Sequence, residues 1–230
     1  MTAASTGSAV HETCVALRNK AITQAIADTA SPLHGLAAGD IEVRDGKLVA
    51  RTDSAKSDTF AELVRRNGSP LEIRMDAQPG DNWRTYAMHS FGAIFAEALV
   101  DPDLGEIRVS RLTGVYGVGT VLNQKTARSQ IIGGIVFGVG MALTEQMLLD
   151  PRTGRAINAD LAEYHVPVHA DIPMIDVAFI DAPDTALGAL GAKGVGEIGI
   201  TGVAAAISNA VYHATGVRVR DLPITLDRVI

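Results

Sequence analysis

The chain has one cysteine, Cys14, in 230 residues. It therefore cannot form an intrachain disulfide, a cysteine-ligated zinc site or its own iron–sulfur cluster. Aromatic residues make up only 4% of the sequence, so stacking surfaces are scarce. The net charge is −6 and no Lys/Arg cluster is present, which argues against a nucleic-acid or anionic-membrane partner, because phosphate-driven affinity needs concentrated positive charge. No stretch approaches the ~18 consecutive apolar residues of a bilayer span. The most apolar run, Ile131 to Leu143, is short and broken by four glycines. Met1-Thr2-Ala3-Ala4-Ser5 has neither the basic n-region nor the apolar h-region of a Sec-type signal peptide. No Gly-x-Ser-x-Gly elbow supports serine-hydrolase chemistry.

Glycine is over-supplied, at 23 of 230 residues, about 10% against a typical ~7%. The excess is concentrated: seven glycines lie between Gly114 and Gly140 and six between Gly188 and Gly202. Mid-helix glycine costs roughly 1 kcal/mol against alanine, so four in the eight residues Gly133 to Gly140 imply either close packing on backbone or a ligand pressed against that face.

The apolar pattern predicts α+β architecture without an obvious linker, as one large or two small domains. Val10, Cys14, Leu17, Ala21 and Ala25 form a helical stripe from Ala9 to Asp28, with Ser8 as its N-cap and Cys14 as a small buried hydrophobe. Ile41 to Val49 alternates around Asp45-Gly46, a hairpin signal. Ser57 to Asn67 suits a helix closed by Gly68, and Leu71 to Met75 a strand. A longer hairpin runs from Thr85 to Val100, turns at Asp101 to Gly105 and returns through Val121. Asn123 caps a helix bearing Ile131, Ile135, Val139 and Met147, ended by Asp150-Pro151. Ile175 to Ile180 reads as a strand, and the helix from Ile200 stops at Gly216.

Candidate chemistry gathers at Gly191-Ala192-Lys193-Gly194-Val195-Gly196-Glu197-Ile198-Gly199, ahead of that last helix. Glycines allow close approach, a helix mouth offers free N–H groups, and one carboxylate stands there. Glu197 either complements the helix dipole or reacts; Lys193 is either a solvated cation or a contact to an anionic ligand. Gln130 is either surface polarity or a bidentate amide for a heterocycle. Gly194-x-Gly196-x-x-Gly199 also matches a dinucleotide fingerprint, but that motif must follow a strand directly within a βαβ unit, and only Val217 to Ile230 follows the helix. His165 and His169 have i,i+4 spacing, but Pro167 between them makes them loop residues, and no metal-ligand set emerges.

Three segments carry a resemblance to the molybdenum-binding large subunit of the xanthine dehydrogenase/aldehyde oxidase hydroxylases: Gly191 to Glu197, Gln130 to Gly140, and Tyr164-His165-Val166-Pro167 followed by Asp171-Ile172-Pro173. The resemblance extends over nearly the whole chain. It implies the C-terminal part of a molybdopterin-binding domain, with Glu197 as general base. Ala4, Ser5, Gln130, Lys193, Gly194, Val195 and Gly196 would then contact a molybdenum–molybdopterin cofactor, in its cytosine dinucleotide form. The implied reaction is hydroxylation of an aldehyde or N-heterocycle with water as the oxygen source. Ile198-Gly199, where xanthine-type members have proline after the glutamate, leans the substrate class to aldehydes. The family subunit is several times longer, so the resemblance implies an upstream molybdenum-subunit portion, iron–sulfur and FAD partner subunits, and a chain inactive by itself. The implied location is cytoplasmic, or periplasmic through a partner's signal. The competing readings are a nucleotide-binding module on Gly194, Gly196 and Gly199, and a non-catalytic remnant of the same fold.

Overall fold

The computed structural model describes residues 2–76, 81–184 and 186–230. The chain forms two compact units, Ser5–Pro79 and Met1–Ala4 with Gly80–Ile230, a division that its composition does not mark.

In the smaller unit, three antiparallel strands form a meander of β1 (Ile41–Arg44), β2 (Lys47–Ala50) and β3 (Asp53–Thr59). Asp45 and Gly46 take φ of 49° and 73°, as a tight type I′ turn between β1 and β2 requires. Helix α1 (Thr2–Ala27) buries Ala21, Ile22 and Ala25 against Leu33, Ile41, Leu48 and Leu63. It starts at Thr2 rather than after Ser8. That opening stretch contains no proline, and a single glycine, Gly7, costs only about 1 kcal/mol in a helix. The core begins at Ala21, so the stripe's first half is uncovered: Val10 is 56% exposed and Cys14 is exposed, not buried as the periodicity suggested. The expected strand at Leu71–Met75 is irregular chain. Helix α2 (Phe60–Asn67) begins three residues later than expected because Thr59 is its cap, its hydroxyl accepting the Glu62 N–H at 3.1 Å; Gly68 closes it with φ 66°.

One charged cluster ties this unit together. Arg66 donates to Asp28 Oδ2 at 2.6 Å and pairs with Asp58, whose side chain is 1% exposed and also accepts from Ser31 Oγ at 2.8 Å. The Arg66 hydrogen bond, helped by the Ala30 N–H, holds the Asp28 carboxyl below its ordinary 3.8. Its contribution is therefore complete above that value and is lost as pH falls through the lower folded-state value. Arg66→Met leaves Asp58 buried without its cation and should cost about 3–5 kcal/mol, read as a lowered urea midpoint. It should also blunt the acid transition of this unit. A loss below about 1 kcal/mol would show that Ser31 alone satisfies Asp58.

The larger unit is a three-stranded sheet with two helices on one face. Strands β4 (Phe91–Val100) and β5 (Ile107–Gly117) form an antiparallel hairpin, and β6 (Met174–Phe179) runs parallel to β5. A parallel neighbour needs a crossover, which α3 (Gln124–Leu143) supplies, with Asn123 Oδ1 accepting the Thr126 N–H at 3.0 Å. Ile131, Ile135 and Val139 of α3 and Val203, Ile207 and Val211 of α4 (Val203–Thr215) close the core over Val109, Leu112 and Tyr116. Among the described helices α3 alone is long and apolar enough to cross a membrane; its apolarity is accounted for by this core, where it buries Ala127, Ile131, Ile135, Val139 and Ala142. The helix ends at Leu143, seven residues before Asp150-Pro151. The Asn158 side chain captures the chain beyond, accepting from the Leu148 N–H at 2.9 Å and donating to the Gln146 carbonyl at 2.6 Å. Met147 is consequently exposed. The Tyr116 ring lies flat across Gly92 and Gly114, where a Cβ would come within 2.6 Å of it, and burial pushes its hydroxyl up to about 12.

Candidate functional site

The loop after residue 188 is fastened to the segment that follows β5. Thr120 N–H donates to Gly191 O at 2.8 Å, Lys193 N–H donates to Val118 O at 2.9 Å, and Gly119 pairs with Ala192. A Cβ on Gly119 would stand 2.1 Å from the Gly191 carbonyl oxygen, so this approach requires glycine. The fastening opens a cleft of about 170 Å³ between the loop and the first turns of α3, lined by Thr120, Asn123, Gln130, Lys193, Val195 and, from the chain's start, Ala3 among others. Ligand sites run ~300–1,000 Å³, so this cleft suits one edge of a large molecule.

Several expected site residues meet here. Gln130 is exposed on α3 and Val195 is half-buried opposite, both on the cleft wall. Ala3 occupies the place expected of Ala4. Ala4 is half-buried and Ser5 exposed on α1, and neither lines the cleft. Gly194 is turned the other way, its carbonyl accepting from Ser90 Oγ at 2.7 Å. Gly196 faces open space. Among the described residues, none accepts the consecutive N–H groups of Gly194, Val195, Gly196 and Glu197. Of this stretch Val195 lines the cleft opposite the Gln130 amide, and unpaired N–H groups together with an amide suit an anion or the heteroatom-lined edge of a pterin.

Lys193 is not a solvated cation. Its ammonium lies 2.9 Å from Asp184 Oδ2, donates to the His89 carbonyl at 3.1 Å and sits 5.8 Å from the Phe91 ring centroid. This hydrogen bond is the main reason the Asp184 carboxyl sits below its usual range.

Glu197 lies in the turn of residues 196–202. Its carbonyl accepts from Ile200 N–H and Thr201 Oγ1, each at 3.3 Å. The carboxylate is exposed and has no hydrogen-bond or ion-pair partner among the described residues. Helix α4 begins six residues later, at Val203, with Gly202 (φ 90°) as its cap and no acid in its first turn. A helix dipole acts within about one turn, so dipole complementation does not explain Glu197.

Most of the glycines in the two segments press on this chain's own backbone or side chains, where a cofactor was expected against them. A Cβ on Gly134 would lie 2.8 Å from Gly199 C, one on Gly199 2.7 Å from Ile131 O, and one on Gly138 2.4 Å from Val203. A Cβ on Gly133 or Gly196 would have nothing within 4 Å. The nucleotide-fingerprint reading fails on the same ground: Gly199 is committed to α3, and β6 ends at Phe179, well before the loop. His165 and His169 are exposed loop residues, and among the described residues no three His, Cys, Asp or Glu converge.

This two-layer α+β unit, with its amide-lined cleft, has counterparts among known proteins. Residues 1–173 match the molybdopterin cofactor-binding domain family, and the chain belongs to it. The Glu197 turn lies outside that match. The chain is 45% identical over 186 residues to the aldehyde oxidoreductase molybdenum-binding subunit PaoC of Escherichia coli K12, covering 81% of this chain and 25% of that subunit. It is 38% identical over 140 residues to a putative xanthine dehydrogenase molybdenum-binding subunit, XdhA, of the same organism, covering 61% and 18%. The chain thus spans about a quarter or less of these relatives. In fold it is similar to CO dehydrogenase from Oligotropha carboxidovorans, with a TM-score of 0.79 at 21% identity over 99% of this chain and 28% of that one.

The packing separates two kinds of glycine experimentally. Gly199→Ala should destabilise the larger unit by about 1–3 kcal/mol through overpacking on α3, whereas Gly133→Ala, in open space on a helix, should stabilise it by about 0.5–1 kcal/mol. Thermal unfolding of the two variants decides; equal effects would contradict the contact.

Proposed function

We propose that this chain is the cofactor-cradling portion of a molybdenum hydroxylase that oxidises aldehydes, or N-heterocycles, with water as the oxygen source. The observation that carries the reading is the unpaired, exposed Glu197 carboxylate, held on a turn directly after a donor-rich loop that shares a cleft with Gln130. The Gln130 amide and the Gly194–Glu197 N–H groups would hold the pterin edge, with the cytosine dinucleotide form extending beyond so small a cleft. Bound there, the molybdenum cofactor would supply the two-electron oxidation and the activation of water.

The chain's own residues would do the rest. A carboxylate of ordinary pKa, ~4.3, is ionised at neutral pH and can accept a proton without special tuning. Exposure leaves Glu197 open to substrate, and the lack of an internal partner leaves its lone pairs available. The fastening of the loop at Gly119–Gly191 and of the turn at Gly199 would hold that carboxylate, two residues beyond Val195 of the cleft wall, without reorganisation. Electrons would leave through an iron–sulfur subunit and an FAD subunit, since one cysteine cannot hold a cluster. The rest of the molybdenum subunit would come from an upstream portion, because the chain matches a quarter of PaoC. The assembly would work in the cytoplasm, or in the periplasm where a partner carries the export signal. The aldehyde preference rests on Ile198-Gly199 after the glutamate and on the likeness to PaoC.

In the assembled enzyme, Glu197→Gln should lower kcat by at least about 10²–10⁴-fold, the range for loss of a general base, with molybdenum content unchanged. Normal turnover by that variant would sink the assignment. The purified chain alone should neither retain molybdenum nor turn over aldehydes; metal analysis and an aldehyde oxidation assay check both.

A further inference from the structure

We propose that Lys193 and Asp184 form a positioning brace that fixes the Glu197 turn, and that the Lys193 ammonium holds chain and not cofactor. The inference rests on the reading of Glu197 as the base. Lys193 is the point where four stretches meet. Its ammonium reaches Asp184 at 2.9 Å and the His89 carbonyl at 3.1 Å, its aliphatic stem ends beside the Phe91 ring, and its own N–H is tied to Val118. The side chain is only 11% exposed, so although Lys193 borders the cleft its charge is largely removed from water and is already met by Asp184 and the His89 carbonyl. Asp184 is itself held in place by the Ala186 N–H at 3.0 Å. The next residue, Gly194, is anchored by Ser90. Five residues on, Gly199 is wedged against Ile131. The turn bearing Glu197 is thus clamped at both ends, and at the end nearer the cleft the ion pair adds a side-chain tie to the hydrogen bonds of Lys193 and Gly194. Loss of either partner would loosen that end, so removing Asp184 and removing Lys193 should act alike. A cofactor ligand would behave otherwise, because only the lysine would then matter.

The test uses Lys193→Met, Lys193→Arg and Asp184→Asn in the full chain, with mass spectrometry following hydrogen exchange of the bonded amides that fasten the loop and its turn, Thr120 on Gly191 and Ile200 on Glu197. A partly buried ion pair that governs local opening should give about fivefold or greater acceleration in both Lys193→Met and Asp184→Asn, with Lys193→Arg restoring protection and the amides of α3 unchanged. In the assembled, molybdenum-loaded enzyme the same two variants should lower kcat about equally, with KM and molybdenum content unaltered. Unchanged exchange in Asp184→Asn overturns the brace whatever the activity. So does molybdenum loss confined to Lys193→Met, which would make Lys193 a ligand. Accelerated exchange in both variants, together with normal turnover by Glu197→Gln, would uphold the brace and refute the base.

Discussion

A side chain at Gly199 would collide with the backbone of Ile131, and one at Gly134 with the backbone of Gly199. Helix α3 and the turn before α4 can touch backbone to backbone only because both residues are glycine. Much else depends on that contact. It brings α4 close enough for Val203 to pack on Gly138 and for Ile207 and Val211 to seal the sheet. It also sets the distance between Gln130, at the start of α3, and the loop that faces it. Glycine in mid-helix lowers local stability by about 1 kcal/mol per residue. The larger unit recovers it through a core in which Ile131, Ile135, Val203 and Ile207 are fully buried.

Where one residue decides a local geometry, the sequence was legible. Asp45-Gly46 made the first hairpin, Asn123 opened α3, and Gly68 and Gly216 closed α2 and α4 in left-handed conformation. Where the outcome depended on distant partners, periodicity misled. The stripe through Val10 and Cys14 is helical, as its spacing requires, yet nothing in a helical period tells how far along the helix a core extends. The end of α3 was misplaced because Asn158, fifteen residues past Leu143, redirects the chain before proline can. Leu71–Met75 has a strand's composition but pairs with neither edge, β1 nor β3, of the three-stranded sheet.

The candidate site shows the same division. Gln130, Val195 and Glu197 could be singled out because each needs only its own chemistry and a nearby glycine-rich backbone. Lys193 could not be assigned. Its partners are Asp184, nine residues upstream, and the carbonyl of His89, 104 residues away in sequence. A lysine beside free N–H groups looks like an anion ligand until the carboxylate that neutralises it is placed. The glycine-rich segments follow the same rule: glycine records close approach but not what approaches, and at Gly134, Gly138 and Gly199 it is this chain itself.

Four N–H donors without an acceptor among the described residues, an amide and a lone carboxylate gain little for the isolated fold. The sheet's second face adds Phe91, Phe95 and Leu99 of β4, between 57% and 65% exposed, on the side that no helix of this unit covers. A chain that had only to fold would be under no constraint to keep both an uncapped run of amides and an apolar strand face open. Relatives that share this fold are more than three times longer, and these two surfaces are where added polypeptide and a bound cofactor would each remove a different cost: dry apolar area on one side, unsatisfied donors on the other. The α3 contact at Gly134 and Gly199 lets a small unit present both at once, since it fixes the donor wall without requiring anything in the cleft to hold it.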